Sequence, residues 1–187
     1  MQYYILICGP NGSGKTFLAQ QLSKAIPDFE YIEGDPFREF LSEQTKYYSS
    51  VDYSASKADY LKRSAQRVVR SYLEEVTHEL LTSKQSIIRC ATSLRPSTRK
   101  YRLDIAKEID NKIVTIIVCL DTDAEVIEER LSDRDKREGT NFLKLYQEIG
   151  KEAFELPTGD EADHVIIHRC VDTIDNLVQK VKDVIMK

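Results

Sequence analysis

A glycine-rich segment near the start of the chain has the residue types that bind phosphate. Residues 9–16 read Gly-Pro-Asn-Gly-Ser-Gly-Lys-Thr and match the spacing GxxxxGK[ST] in full. Gly12 and Gly14 let the backbone curl so that successive N–H groups point at phosphate oxygens. Lys15 should then contact the β- and γ-phosphates of ATP, and Thr16 should be a ligand of Mg²⁺. The residues predicted to bind the nucleotide are Gly9, Asn11, Gly12, Ser13, Gly14, Lys15 and Thr16.

The flanking sequence places this segment between a strand and a helix. Residues 3–8 form a short apolar run, which is typical of a strand buried on both faces of a parallel sheet. A helix is predicted from about Lys15 to Ala25, and its first turn adds partial positive charge beneath the phosphates. The alternative is a glycine-rich turn with a coincidental Lys-Thr, and the strand and helix on either side argue against it.

Asp35 and Arg38 are the next candidates. They follow a predicted strand, 29–33, so they should lie at the same edge of the sheet as the glycine-rich segment. A carboxylate there can accept the proton of an attacking hydroxyl. Arg38, one helical turn after Asp35, can hold an anionic acceptor through a bidentate hydrogen bond. Equally, Asp35 can cap the helix that begins at Phe37 while Arg38 lies on the surface. Both interpretations stay open.

An arginine-rich stretch, 130–140, is predicted to lie between two helices. In phosphoryl transfer, arginines such as Arg130 and Arg134 stabilise charge on the group that is transferred. A solvated run of charges is the alternative, because acidic residues are interleaved with the basic ones at 133, 135 and 138. The glycine-rich segment favours the first interpretation, with 130–141 as a lid.

Two further basic segments could bind an anionic acceptor. The better candidate begins at the end of the third predicted strand and contains Arg89, Arg95, Arg99, Lys100 and Arg102. The other lies on a long helix, where a solvated face is the stronger expectation, and contains Lys57, Lys62, Arg63, Arg67 and Arg70. His168 could lie near the nucleotide base, but a surface position is the stronger expectation.

Composition narrows the class of protein. The chain has 187 residues, of which 41% are hydrophobic and 31% are charged, as in ordinary globular domains. No apolar run approaches the ~20 residues that span a bilayer, and the first residues lack the positive region of a signal peptide, so we expect a cytoplasmic protein without a membrane partner. A net charge of −4 argues against tight, sequence-blind binding of long nucleic acid. The four cysteines are expected to be reduced core thiols.

Strands alternate with helices along the chain, which predicts an α/β fold with a doubly wound parallel sheet of about five strands and helices on both faces. One domain, 1–187, is expected. The long helix should begin with a capping box at Ser56. Its buried face should contain Leu61, Ala65, Val68, Tyr72, Val76 and Leu80. A later helix should be capped by residues 122–125 and end near Leu131. The last helix should bury Ile174, Leu177, Val178, Val181 and Val184.

With these motifs in order, the chain resembles the P-loop kinases that include bacteriophage-type polynucleotide 5′-kinases and zeta-toxin-like kinases. The resemblance covers about residues 3–149. It rests on the phosphate loop 9–16, on the Asp-x-x-Arg element 35–38, on residues 92–99 (Thr-Ser-Leu-Arg-Pro-Ser-Thr-Arg) and on residues 121–134. It implies a P-loop NTPase fold of the nucleotide-kinase type, with ATP and Mg²⁺ as cofactors.

The resemblance also implies roles for single residues. Lys15 and Thr16 would bind ATP and Mg²⁺, Asp35 would be the general base, and Arg38 would contact the acceptor's phosphate. Arg130 and Arg134 would be lid arginines. One departure is Ala91, because the family often has an aspartate at this place after the third strand. The leading expectation for the acceptor is a nucleic acid 5′-hydroxyl, a nucleoside or a nucleotide. The alternatives are a small non-nucleotide metabolite and, less favoured, a nucleotide-hydrolysing switch.

Overall fold

The computed structural model describes residues 1–34, 36–37, 40–41, 55–169 and 173–186, without the side chains of 55–63 and 65. Its strands are β1 Tyr3–Cys8, β2 Phe29–Ile32, β3 Ser86–Cys90, β4 Val114–Asp121 and β5 His164–Arg169. The α-helices with defined bounds in the described residues are α1 Lys15–Ala25, α2 Ala55–Thr82, α3 Pro96–Ile109, α4 Ala124–Glu138, α5 Phe142–Leu145, α6 Lys151–Ala153 and α7 Ile174–Ile185. A π-helical turn, Tyr146–Gly150, joins α5 to α6.

The strands form one parallel sheet in the order β2-β3-β1-β4-β5. The chain adds β2 and β3 on one side of β1 and then β4 and β5 on the other side. β1 is therefore the central strand, and every one of its residues is buried. The carboxyl ends of the central strands therefore meet at the loop that follows Cys8, where ligands bind in such sheets. The predicted α/β fold with a doubly wound sheet is confirmed.

Helices cover both faces of the sheet, because alternate residues of each buried strand point to opposite sides. On one face α1 and α7 pack on the strands, with a core that includes Ile5, Ile7, Leu18, Leu22, Val118, Leu177 and Val181. On the other face α2 and α3 pack, with a core that includes Tyr4, Leu6, Leu81, Ile87, Leu103, Ala106 and Ile117. The predicted apolar face of the last helix, α7, is confirmed.

The predicted buried face of α2 is confirmed at Val76 and Leu80, which pack on the core, and is wrong one and two turns earlier. Val68 is 52% exposed and Tyr72 is 48% exposed, whereas Val69 and Thr77 are buried and Leu73 packs on the core. In that part of α2 the inward-facing residues are shifted by one position, with Val69 and Leu73 in place of Val68 and Tyr72. Leu61 and Ala65 lie outside the described side chains. The helix begins at Ala55, so Ser56 lies inside it rather than at its N-cap.

The arginine-rich stretch is helical rather than a connection between helices. α4 continues past the predicted end at Leu131 as far as Glu138, and Gly139 ends it with a left-handed backbone (φ 65°). The expected side-chain cap at its start is also wrong, because the N-cap Asp123 makes no capping hydrogen bond. None of the described helices has both the length and the hydropathy that crossing a bilayer requires.

Candidate nucleotide site

The glycine-rich segment forms the loop between β1 and α1, and its glycines are needed for its shape. Gly9, Gly12 and Gly14 have φ values of 143°, 81° and 98°, which residues other than glycine rarely adopt. A Cβ at Gly9 would lie 2.9 Å from the carbonyl oxygen of Leu120, and a Cβ at Gly12 would lie 3.0 Å from Cγ of Leu131. The loop is therefore held closely between β4 and α4, with its curled backbone ahead of the α1 N-terminus.

The interior of this loop fits a triphosphate. The Lys15 side chain is buried, and its Nζ donates a hydrogen bond of 2.7 Å to the carbonyl oxygen of Pro10, so the ammonium group folds back over the loop. Ser13 Oγ is buried and has no hydrogen-bond partner among the described residues. A buried hydroxyl without a partner is unfavourable, and a phosphate oxygen would satisfy it. The donors around the loop thus match the chemistry of a nucleotide phosphate.

Glu33 lies next to the predicted Mg²⁺ ligand, a residue that the sequence pattern did not single out. Its Oε1 accepts a hydrogen bond of 2.7 Å from Thr16 Oγ1, and its Oε2 accepts one of 2.7 Å from the Tyr31 hydroxyl. Hydroxyl and carboxylate oxygens are the ligands that Mg²⁺ prefers. The only sequence signal was its position: we assigned Glu33 to the second strand, but the strand ends at Ile32 and the carboxylate is the first side chain beyond it.

Two threonines after the central strands fasten the loop from its two sides. The Thr92 hydroxyl, after β3, donates to Oδ1 of Asn11 at 3.0 Å. The Thr122 hydroxyl, after β4, donates to the Ser13 carbonyl oxygen at 3.1 Å. The sequence pattern predicts Thr122 in a helix cap. Its contact with the loop shows that the end of β4 instead fixes the backbone of the phosphate loop.

The two predicted lid arginines have different surroundings. Arg130 Nη1 donates to the carbonyl oxygen of Gly12 at 3.2 Å and lies 3.8 Å from a Cβ built on Gly14, so its guanidinium lies over the phosphate loop. Arg134 instead pairs with Glu138 at 2.7 Å and stacks on the ring of Phe142 at 4.6 Å from its centroid. Of the two, only Arg130 contacts the loop in this structure.

The best sequence candidate for an acceptor site, the basic segment after β3, is largely structural. Arg99 is fully buried and forms a two-pronged ion pair with Glu161 at 2.6 and 2.8 Å. Its Nη1 also donates to the backbone carbonyls of Ser93, Leu94 and Glu155. The hydrogen bonds that Arg99 donates to the carboxylate hold the pKa of Glu161 below its ordinary value. Arg99 therefore ties the β3–α3 loop to residues 155–161 and is not available to a ligand.

Three of the other four cations of this segment also have protein partners. Arg89 is 1% exposed and donates to the Thr77 hydroxyl at 2.9 Å, whereas Lys100 pairs with Asp104 on the surface of α3. Arg102 donates to Ser93 Oγ at 2.9 Å. Burial lowers the pKa of Arg102, and the nearby positive charge of Arg89 lowers it further. Arg95 is exposed at the start of α3, so the predicted group does not converge on one acceptor.

Cys8 and Cys119 are paired across β1 and β4, directly before the phosphate loop. The hydrogen bond with Cys8, together with burial, raises the pKa of the Cys119 thiol, which keeps it protonated. Among the described cysteines, Cys8, Cys90 and Cys119, none forms a disulfide. This agrees with the expectation of reduced core thiols.

The remaining predicted site residues fall into three groups. Asp35 and Arg38, the predicted general base and acceptor ligand, lie outside the described residues. His168 is buried in β5 and not on the surface, contrary to expectation. The roles assigned to Lys15, Thr16, Arg130 and the loop glycines stay predictions that the geometry above supports.

A family model described as an AAA domain matches residues 5–151 of the chain. The matched region begins in β1, contains the phosphate loop and α4, and ends just after the π-helical turn. No curated protein matches the chain significantly.

Solved structures of several kinases share the fold. A sugar kinase from Janibacter is 20% identical with a TM-score of 0.61, covering 97% of this chain and 92% of that chain. The APS kinase of Mycobacterium tuberculosis, in complex with AMPPNP and APS, is 16% identical with a TM-score of 0.60, covering 100% and 98%. A shikimate kinase from Acinetobacter baumannii, in complex with shikimate, is 18% identical with a TM-score of 0.52, covering 100% and 94%. At these identities the likeness establishes the fold.

Proposed function

Since this chain belongs to the family described as an AAA domain, we propose that it is an ATP-dependent kinase whose acceptor is a small molecule. The observation that carries the proposal is the phosphate loop, in which a buried lysine, a buried serine hydroxyl without a partner and a threonine hydroxyl converge within one turn. A switch or binding module would also need to hold a nucleotide. The kinases among its structural neighbours favour transfer to an acceptor over hydrolysis alone.

In the proposed reaction the acceptor's hydroxyl oxygen attacks the γ-phosphorus of ATP. The bond from that phosphorus to the β–γ bridging oxygen breaks, so the products are a phosphate monoester and ADP. The proton of the hydroxyl passes to a carboxylate, a role that we assign to Asp35. Lys15 and Arg130 stabilise the negative charge that spreads over the transferred group.

Thr16 and Glu33 are the described residues that would hold Mg²⁺ and its water. When bound there, the ion neutralises charge on the β- and γ-phosphates. Thr16 would bind it directly, while Glu33 keeps the threonine hydroxyl oriented through the 2.7 Å hydrogen bond. The carboxylate also lowers the electrostatic cost of bringing a divalent cation to this edge of the sheet.

The sequence alone placed a nucleic acid 5′ end or a nucleotide first among acceptors and a small metabolite second. The structure favours the second, because Arg89 and Arg99 are buried among protein partners and cannot contact a phosphodiester backbone. The kinases that share this fold include one solved with the small molecule shikimate. The acceptor of this chain is accordingly proposed to be a small alcohol.

The test is a screen with γ-³²P-labelled ATP over sugars, polyols, aromatic alcohols, nucleosides and 5′-hydroxyl oligonucleotides. We expect label in a small molecule, and a fall in kcat of about 10²–10⁴-fold for Asp35→Asn, which loses general-base help. Glu30→Gln, an exposed substitution on β2, is the matched control. Release of labelled phosphate without any labelled acceptor would refute a kinase, and label only in oligonucleotides would refute the small-molecule acceptor.

A further inference from the structure

A small cavity of about 160 Å³ lies directly beside the phosphate loop. Asn11 of the loop forms one wall, Thr92 and Leu94 after β3 form the second, and Leu145, Tyr146 and Ile149 form the third. The cavity therefore opens where the phosphate loop, the β3–α3 loop and the helical segment after α4 come together. A molecule bound in it would lie next to the phosphates that the loop is proposed to hold.

The walls of this cavity are uncharged. Every described lining residue is apolar, a glycine or a neutral polar residue, and the polar groups at the loop side are the amide of Asn11 and the hydroxyl of Thr92, which are hydrogen-bonded to each other at 3.0 Å. A carboxylate or phosphate packed against these described walls would lose water without gaining a cation from them, which is unfavourable. The described lining therefore favours a neutral group at this position.

The third wall consists of apolar side chains that the fold leaves open to solvent. Leu145 is 46% exposed and Ile149 is 56% exposed, while Tyr146 between them is buried. The π-helical turn sets this arrangement: the Lys151 N–H bonds to the Tyr146 carbonyl, and a Cβ at Gly150 would lie 3.0 Å from the Tyr146 ring. Such turns occur often at functional sites. An apolar wall facing a phosphate loop has no evident role in packing the sheet.

The volume of the cavity indicates the size of the group that would fill it. An apolar protein cavity of about 150 Å³ accommodates one benzene ring, so a volume of about 160 Å³ has room for one six-membered ring.

We propose that this cavity binds the body of the phosphate acceptor, and that the acceptor is an uncharged, ring-sized alcohol with at least one apolar face. The inference rests on the proposed kinase function and narrows its acceptor class. The apolar face of the ring packs on Leu94, Leu145 and Ile149, and the hydroxyl faces the Asn11 side, next to the γ-phosphate. Asn11 and Thr92 offer the neutral polar groups that orient it.

The test measures binding directly, so it does not depend on turnover. Benzyl alcohol is the neutral probe, and 4-(hydroxymethyl)benzoate is its charged counterpart. Binding of each is measured by saturation-transfer difference NMR in the presence of a non-hydrolysable ATP analogue. We expect transfer to benzyl alcohol and much weaker transfer to the benzoate. In Ile149→Glu the signal for benzyl alcohol should fall by about tenfold, because a carboxylate at the rim hydrates the apolar wall.

Met186→Glu is the matched control, because Met186 is also an exposed apolar residue (75%) but lies at the end of α7. It should keep the wild-type signal. Equal signals from the wild type and Ile149→Glu, equal binding of the benzoate, or no binding of benzyl alcohol would each overturn the inference. The kinase proposal fails separately, when no acceptor in the ³²P screen becomes labelled.

Discussion

Thr16 and Glu33 are joined by a hydrogen bond of 2.7 Å between the threonine hydroxyl and one carboxylate oxygen. The contact links the first turn of α1 to the end of β2, although β3 lies between β2 and β1 in the sheet. A carboxylate that orients a metal ligand in this way commonly tunes both the affinity of the metal and the reaction that it supports. We therefore expect Glu33 to orient the Thr16 hydroxyl for the Mg²⁺ that this residue is proposed to bind.

Glu33→Gln should weaken the binding of Mg²⁺ or lower the rate that Mg²⁺ supports. Glutamine retains an oxygen that can accept from Thr16 but removes the negative charge, so we expect the apparent affinity for Mg²⁺, or kcat at fixed Mg²⁺, to fall by about 10–100-fold. The measurement is the rate of ADP formation across a Mg²⁺ titration. Glu30→Gln on the exposed side of β2 should behave like the wild type. An unchanged Mg²⁺ titration in Glu33→Gln would contradict this role.

Ser13→Ala should separate stability from nucleotide binding. The Ser13 hydroxyl is buried without a partner among the described residues, so its removal should stabilise the ligand-free protein by about 1–3 kcal/mol. ATP with Mg²⁺ should then raise the melting temperature less than it does in the wild type, because one donor to phosphate is lost. Thermal unfolding with and without Mg²⁺-ATP gives both quantities. A destabilised ligand-free variant would show that the hydroxyl has a structural partner.

Arg99→Ala should destabilise the fold. Its loss removes the guanidinium that pairs with the Glu161 carboxylate and donates to three backbone carbonyls, and breaking a buried ion pair in this way costs about 3–5 kcal/mol. Urea unfolding measures the change. Lys100→Ala, which removes an exposed i,i+4 pair with Asp104, is the control and should change the free energy of unfolding by about 0.5 kcal/mol or less. Equal stabilities of the two variants would return Arg99 to the acceptor site that the sequence suggested.

The Arg99–Glu161 pair should also make stability depend on pH. The hydrogen bonds from Arg99 hold the pKa of Glu161 below its ordinary value, which is about 4.3 in an unfolded chain. The contribution of the pair is therefore fully present above about pH 4.3 and is lost as the pH falls through the lower pKa of the folded state. The free energy of unfolding, measured in urea from about pH 6 to pH 3, should fall less steeply in Arg99→Ala than in the wild type. Parallel pH profiles for the two proteins would exclude this linkage.

Much of the fold could be predicted because its signals are local. The phosphate loop is a contiguous motif, apolar runs mark β1 and β4, and Pro96 marks the start of α3, Pro96–Ile109. The face of α2 could be predicted only in part. Apolar or aromatic residues stand side by side at 68–69 and 72–73, and only packing against the rest of the fold decides that Val69 and Leu73 face inward.

The candidate site was predictable only where its chemistry lies within one segment. Glu33 becomes a candidate residue of the metal site only once the end of β2 is seen next to α1. Arg99 is excluded as an acceptor ligand only when Glu161, 62 residues later, is found beside it. Sequence spacing shows which charges are present but not which of them neutralise one another, so the basic residues after β3 were overestimated as an acceptor site.

The last prediction distinguishes Arg130 from Arg134, which the sequence treated alike. Arg130 contacts the Gly12 carbonyl and lies over the phosphate loop, so Arg130→Ala should lower kcat more than it raises the KM for ATP, if its charge acts mainly in the transition state. A loss of about 2.7–4 kcal/mol, or roughly 10²–10³-fold in kcat, is the scale for one such donor. Arg134 is held by Glu138 and Phe142, and Arg134→Ala should leave kcat within about threefold of the wild type, since a half-exposed ion pair contributes little.

Steady-state kinetics of both variants, with ATP varied at saturating Mg²⁺ and acceptor, would measure this difference. Glu138→Gln is the matched control for Arg134, because it breaks the same ion pair and leaves the arginine free to move. If Arg134 reaches the phosphates only after it leaves Glu138, Glu138→Gln should raise kcat while Arg134→Ala lowers it as strongly as Arg130→Ala. In that case α4 closes on the nucleotide during the reaction, and both arginines act in the transition state as the sequence first suggested. Equal and small effects of Arg130→Ala and Arg134→Ala would instead leave the charge on the transferred group to Lys15 and Mg²⁺.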